Sequence, residues 1–316
     1  MESSTLVAPA AEVVRRAHRH WALRPLIRLG GPIAYLVALG LTCAFVGLPT
    51  SRDAFFFWVL VGLLAASLTN IRGWFRGLVL DWLPFGAVLF AYDLLRGYAD
   101  ALFSAHVWPQ LRADELLDGG PVPTVWLQQR LWDPRHIDWI DYAAWSVYLT
   151  HFFATLLVAA ILWLAASHLF RRFAACVVFL AVAGLSTYVL FPAVPPWMAS
   201  EEGYLPHTER VVGIVSHAAP IGHFGSLWEH GTRYANDVAA MPSLHAAYAM
   251  LIALFFVPRV RWPWRIPLAA YPLAMAFALV YTGEHYVSDV LLGWLYAVVA
   301  VTVVELVARR RAPARA

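Results

Sequence analysis

Apolar runs of membrane-spanning length dominate this chain, separated by short arginine-bearing turns on one side and long polar connections on the other. A helix rises 1.5 Å per residue, so ~20 mostly apolar residues cross a bilayer's hydrocarbon core. Eight stretches approach or meet that length, near 32–49, 55–71, 78–97, 143–166, 173–191, 243–258, 265–282 and 287–308. The pattern predicts an all-α, polytopic membrane helical bundle with about eight transmembrane helices. Two connections, 98–142 and 192–242, are much longer than turns. Within them, 124–132 and 208–218 repeat apolar residues at helical spacing beside polar faces, which predicts short helices lying along the interface.

Composition agrees with a membrane class. The 316 residues are 61% hydrophobic and 14% charged, whereas soluble domains run near ~45–50% apolar and ~25% charged. Mean hydropathy is +0.62. Every basic side chain except histidine is arginine. The N-terminal arm, Arg72/Arg76, Arg171/Arg172, Arg259/Arg261/Arg265 and Arg309/Arg310/Arg311 fall on alternate helix ends, which makes that side cytoplasmic by the positive-inside rule. Both termini are then inside, and the long connections lie on the extracytoplasmic face of the cell membrane. Several tryptophans (Trp108, Trp126, Trp132, Trp139, Trp145, Trp197 and Trp228) gather near that outer boundary, as an interfacial belt does.

One domain is expected: a basic cytoplasmic arm 1–31, a transmembrane catalytic domain 32–308, and a basic cytoplasmic tail 309–316. The arm lacks a short apolar core with a small-residue cleavage site, so no removable signal peptide is expected. Cys43 and Cys176 sit alone in apolar runs and read as small packing residues. His207, His217, His223 and His230 stud the second long connection at spacings that match no zinc pattern, so no metal is expected. The composition offers nothing for nucleic acid, and the oligomeric state is not legible.

Two polar motifs interrupt this apolar pattern where helices begin. Met241-Pro-Ser-Leu-His245 opens the sixth span, and Glu284-His-Tyr-Val-Ser-Asp289 opens the eighth. Polar groups at a hydrocarbon boundary are costly, so functional sites collect there. His285 and Asp289, four apart, share a helix face, and an Asp accepting the Nδ1 proton leaves Nε2 free to attack phosphorus. His245 can protonate a leaving alkoxide. Pro242-Ser243 makes a sound helix start, and first-turn amides can cradle a phosphate. Read singly, each motif is equally well an interfacial cap or ion pair; the pair of motifs at the same membrane face points to a site.

Those residues resemble the second and third signature motifs of the type 2 phosphatidic acid phosphatase superfamily. Within it the chain is most similar to the branch of inositol phosphorylceramide synthase and its bacterial relatives. Pro-Ser-Leu-His245 stands where lipid phosphatases carry Pro-Ser-Gly-His, and Phe191-Pro-Ala-Val-Pro-Pro-Trp197 matches a branch element. Asp-Trp-Leu-Pro-Phe at 81–85, with Tyr92 and Arg96 downstream, is similar as well, and the likeness covers roughly 75–305. The resemblance implies a six-helix lipid-phosphatase-like core, a phosphohistidine on His285, Asp289 as its orienting acid and His245 as general acid and then base. It implies no cofactor. The partners it implies are a phospholipid donor, with a lipid alcohol or water as acceptor, and the bilayer itself. Ser243, Trp197 and Tyr286 inside these motifs then count as substrate-binding.

The chain departs from the superfamily twice. The first signature, Lys-x6-Arg-Pro, is missing, and the arginine six residues before the third-signature histidine is replaced by Leu279. Arg96, Arg210 and Arg233 are the candidates to rebuild the phosphate cage. Arg210 and Arg233 read equally as solvated loop charges. Arg96 lies three residues from Asp93 inside an apolar span, where it either fixes the helix by a salt bridge or meets substrate. Asn236 can bind a polyol hydroxyl, though with Asp237 it more simply makes a turn. His151, about two turns into the fourth span, either faces the cavity or, the favoured reading, satisfies a neighbouring helix. A thinner basic cage suits a diester better than a monoester, so head-group transfer leads and a lipid phosphate phosphatase is the alternative. A proton-coupled lipid transporter, which would show internal duplication and broken helices, is the weaker reading.

Overall fold

The computed structural model describes residues 10–46, 52–219 and 236–311. Its elements are α1 (Ala10–Phe45), α2 (Arg52–Ala66), α3 (Ile71–Gly77) continuing through a π-type turn at Leu78–Trp82 into α4 (Leu83–Arg96), α5 (Trp108–Asp118) and α6 (Pro123–Leu131). They continue with α7 (Trp139–Ala165), α8 (Ser167–Leu190), α9 (Pro196–Glu201), α10 (Val211–Ala218), α11 (Leu244–Phe256), α12 (Trp262–Tyr281) and α13 (Val287–Arg311). Among the described residues, six helices are long and apolar enough to cross a membrane, and two shorter apolar ones cover Ala54–Ala66 and Leu244–Arg259. Helices thus occupy all eight expected stretches, six of them of spanning length where eight spans were expected, and the chain is an all-α, multi-pass membrane protein.

Two local differences have plain causes. The expected polar arm is helical from Ala10, continuous with the apolar stretch that begins at Arg28, because Ala10–Leu23 is rich in good helix formers and has neither glycine nor proline. The connection 98–142 contains an additional helix, α5, which its mixed composition does not announce. On α5, Gln110, Leu111 and Asp114 are buried, while Trp108, Leu116 and Leu117 remain exposed. The helix therefore lies on its side at the head of the bundle, as interfacial helices do.

At the centre stands α11. Nearly its whole circumference is buried: Leu244, Ala246, Ala247, Ala249, Leu251, Ala253 and Phe255 each expose 4% or less. Its alanines let α7, α8, α12 and α13 approach closely, the usual way helices associate where the hydrophobic effect gives little drive. The closest approach is to α13. A Cβ built on Gly293 would collide with the Ser243 carbonyl oxygen, so glycine is required for the contact. The same core extends to an aromatic group of Trp82, Phe85 and Phe170, with Phe56 against the Trp82 edge.

The arginine turns gather at the other end of the bundle. Arg171 pairs with Asp81 at 3.2 Å, and Asp81 also accepts from the Trp163 indole. Glu305 on α13 receives both Arg172 (3.2 Å) and Arg259 (2.5 Å), tying α8 and the Val257–Arg259 turn after α11 to α13. Arg171, Arg172 and Arg259 of the expected set thus meet acidic partners on neighbouring helices.

Gly293→Ala is expected to force α13 away from Ser243 and to destabilise the fold by roughly 1–3 kcal/mol, as overpacking does. A thermal unfolding midpoint in detergent equal to that of wild type would show that the close approach is not needed.

Candidate active site

Both motif histidines arise from helix starts. Ser243 precedes α11 in an extended conformation and its Oγ accepts the Ala246 amide at 3.3 Å. Its own N–H donates to the Asp289 carbonyl oxygen at 3.0 Å, so backbone joins one motif to the other. One of the first-turn amides expected to cradle phosphate at the head of α11, that of Ala246, is therefore already bonded inside the protein.

The second motif follows a tight reversal. Gly283 adopts φ +80°, and a Cβ there would lie 2.7 Å from the Glu209 carbonyl oxygen. The Glu284 and His285 amides turn back to the Leu279 carbonyl oxygen at 3.1 and 3.2 Å. Gln128 on α6 locks the turn: Nε2 donates to the carbonyl oxygens of Tyr281 and Glu209, each at 2.9 Å, and Oε1 accepts the Glu209 amide at 2.8 Å. Trp197 donates its backbone N–H to the Gly283 carbonyl oxygen at 3.1 Å, so the proline-rich segment 191–197 abuts the same turn.

The rings of His245 and His285 then lie 5.7 Å apart. His285 Nδ1 is 3.5 Å from Asp289 Oδ2, longer than a well-formed hydrogen bond. His285 is 6% exposed and Asp289 fully buried. Their i,i+4 spacing does what the sequence suggested, placing the acid beside Nδ1 and leaving Nε2 as the other ring nitrogen.

Aromatic and imidazole rings enclose His245. Tyr148 stacks on it at 4.8 Å with 21° between the planes, and His151 lies only 3.8 Å away at 32°. His151 therefore belongs to this cluster; it does not merely satisfy a helix elsewhere. The available signal was two polar ring residues three apart in an otherwise apolar span, enough for a shared face but silent about which helix they meet.

The candidate phosphate ligands fare unequally. Arg210, immediately before α10, donates from Nε to Glu284 Oε1 at 2.8 Å, lies 3.5 Å from Asp237, and sits over the Trp197 ring at 4.6 Å. Burial alone would favour the neutral guanidine, but Glu284 more than offsets that and holds the Arg210 pKa above its ordinary value. Glu284 is 8% exposed and directly precedes His285, so this cation beside His285 has two acidic partners. Arg96 lies 3.8 Å from Asp93 at the end of α4, over the Tyr92 ring, within electrostatic reach of Tyr188. Tyr188 in turn donates to the Pro242 carbonyl oxygen at 2.8 Å, which brings Arg96 to the α11 head. Arg233 lies outside the described residues, as do His223, His230 and Trp228.

Asn236 makes a turn, its Oδ1 accepting the Val238 amide at 3.0 Å, while Nδ2 donates to Asp100 at 2.8 Å. Tyr286 is fully buried and packs with Leu111, Val122 and Val125, so its ring serves the packing of α5 and α6 against α13. Leu279, at the missing arginine position, is fully buried in an apolar cluster with Val212 and Met275. Asp114 on α5 was not singled out from sequence. Its two carboxylate oxygens accept the Val287 and Ser288 amides, each at 2.8 Å. Burial pushes its carboxyl above the usual range although both amides pull the other way, and the nearby Asp289 charge adds to the rise.

Comparison with known proteins fits this geometry. The sequence profile of the PAP2 superfamily matches residues 123–303, more than half of the chain, and the chain belongs to that superfamily. It is 34% identical to the phosphoinositol dihydroceramide synthase of Bacteroides thetaiotaomicron over 134 residues, 39% of this chain and 42% of that protein. It is 30% identical to the inositol phosphorylceramide synthase catalytic subunit aur1 of Schizosaccharomyces pombe over 165 residues, 51% of this chain and 39% of that protein. The Candida albicans inositol phosphorylceramide synthase is 26% identical over 174 residues, 52% and 36% of the two chains. The chain thus aligns with only about two fifths of the length of these relatives. No solved structure matches it.

Arg210→Ala would strand the buried Glu284 carboxylate and is expected to cost ~3 kcal/mol of stability. Adding Glu284→Gln should recover most of that loss, because the neutral amide needs no counter-charge. Thermal unfolding of the two single variants and the double variant measures the coupling, and additive losses would show that the pair carries none.

Proposed function

We propose that this protein is an integral membrane lipid phosphotransferase working through a phosphohistidine at the extracytoplasmic face. The observation that carries the reading is the convergence of His245, His285 and Asp289 at one end of the bundle, with rings 5.7 Å apart and the acid 3.5 Å from the imidazole. His285 Nε2 attacks the phosphorus of a phospholipid diester, a P–N bond forms, and the P–O bond to the diacylglycerol-like alcohol breaks as His245 gives its proton to the leaving alkoxide. Asp289 holds His285 and stabilises the positive ring. A lipid alcohol then attacks the same phosphorus, His245 takes its proton, and the P–N bond breaks. Ser243 and Trp197 stand at the margins of this site, with Arg96 and Arg210 as its cations.

Charge favours the diester. Arg210 faces Glu284 and Asp237, and Arg96 faces Asp93, so positive charge near the histidines is largely offset. A diester brings one negative charge where a monoester brings nearly two, and the first suits this weaker cage. The relatives named for inositol phosphorylceramide synthesis support transfer of an inositol-phosphate-like group to a ceramide-like alcohol. The arginines collected at the far end of the bundle support a cytoplasmic assignment for that end, with both termini inside.

The test incubates purified protein with inositol-labelled phosphatidylinositol and either ceramide, dihydroceramide, diacylglycerol or no acceptor lipid. Label moving to an acceptor lipid supports transfer. Faster release of inorganic phosphate from phosphatidic acid or a polyprenyl diphosphate would replace transfer by hydrolysis. His285→Ala should abolish turnover with little change in unfolding temperature, and His245→Ala should spare phosphohistidine formation only from donors with good leaving groups. Wild-type turnover in either variant would remove this mechanism.

A further inference from the structure

The head of α13 poses a problem that its own sequence does not solve. A helix start leaves several amides without intrahelical partners, and the residue before the helix usually supplies a short side chain to accept them. Here that residue is Tyr286, whose hydroxyl stands at the far end of a rigid, fully buried ring among Leu111, Val122 and Val125. Asp289, in the third helical position, accepts the Tyr286 amide with Oδ2 at 3.0 Å, and that same oxygen faces His285 Nδ1 at 3.5 Å. The next two amides, of Val287 and Ser288, point away from it and are taken by Asp114, which reaches across from α5 with one oxygen for each. Asp114 is completely buried, and Leu111 on the same helix face packs on Tyr286.

We propose that Asp114 is a positioning residue for the phosphotransfer, capping α13 from another helix so that Asp289 stays committed to His285. This rests on the reading of His285 as nucleophile. Without the Asp114 carboxylate, two bare amides of a buried helix start compete for Asp289, which already accepts the adjacent Tyr286 amide and whose Oδ1 has no hydrogen-bond partner. The acid then turns toward the helix head, and His285 loses the partner that fixes its tautomer and ring plane. Asp114 also lies before the region matched by the superfamily profile, 123–303, so the fold recruits α5 as an added support for the nucleophile. The two carboxylates divide the work between them, Asp114 satisfying backbone while Asp289 serves chemistry.

The experiment compares wild type, Asp114→Asn and His285→Ala as monodisperse full-length protein, using the labelled phosphatidylinositol donor with ceramide. Asp114→Asn keeps the side-chain volume but offers one acceptor where two are needed. The expected result is a kcat lower by roughly 10- to 100-fold, the scale of an ångström-level misplacement of a reacting group, with KM within about twofold of wild type. A merely structural role would lower the yield of folded protein and its unfolding temperature, leaving kcat per folded molecule unchanged; that result overturns the proposal. If the Asn variant yields no folded protein, Asp114→Glu takes its place, since it keeps the charge and displaces the oxygens by one methylene. The same loss of kcat at constant KM is expected, and wild-type kcat overturns the proposal. His285→Ala separates the two levels: abolished turnover with an unimpaired Asp114 variant sinks the positioning role alone, whereas retained turnover in His285→Ala sinks both.

Discussion

Everything at the head of this bundle depends on how closely two helices can meet. The starts of α11 and α13 carry the two histidines, and they are held together by backbone: the Ser243 amide on the Asp289 carbonyl oxygen at 3.0 Å, with Gly293 one turn further on admitting the Ser243 carbonyl. Inside a membrane, helix association gains little from the hydrophobic effect, so close packing of small residues and satisfied polar groups must do the holding. Alanines along α11 extend the same contact through the bundle. A larger residue at position 293 would part the rings before it disturbed any lipid-facing surface.

Burial makes the electrostatics of the site a matter of partners. Asp114, Asp289 and Glu284 are all removed from water, and each answers a particular donor: backbone amides, an imidazole and a guanidinium. Unpaired, any of them would be expensive at a hydrocarbon boundary. The net result is a site whose cations are already partnered before substrate arrives, in contrast to the lysine- and arginine-bearing signature that this chain lacks. That balance is the physical link between the missing motif residues and the diester reading.

The superfamily profile covers 123–303, and the site borrows from outside it. Arg96 at the end of α4 and Asp114 on α5 both precede that region, yet they bear on the starts of α11 and α13 respectively. Gln128 on α6 ties Glu209, just before α10, to Tyr281 at the end of α12.

The sequence by itself determined the all-α, multi-pass class, the two histidine motifs and the i,i+4 relation of His285 to Asp289. Each follows from local rules: hydrocarbon thickness, helical periodicity and the cost of polar groups in apolar runs. Tertiary structure alone decided that His151 and Tyr148 stack on His245, that Arg210 is committed to Glu284, that Tyr286 belongs to the packing, and that α5 delivers Asp114. These pairings join residues at least 74 positions apart, and no periodicity within one segment encodes which face of another it will meet. They are set by the one arrangement in which buried donors and acceptors across several helices are satisfied together.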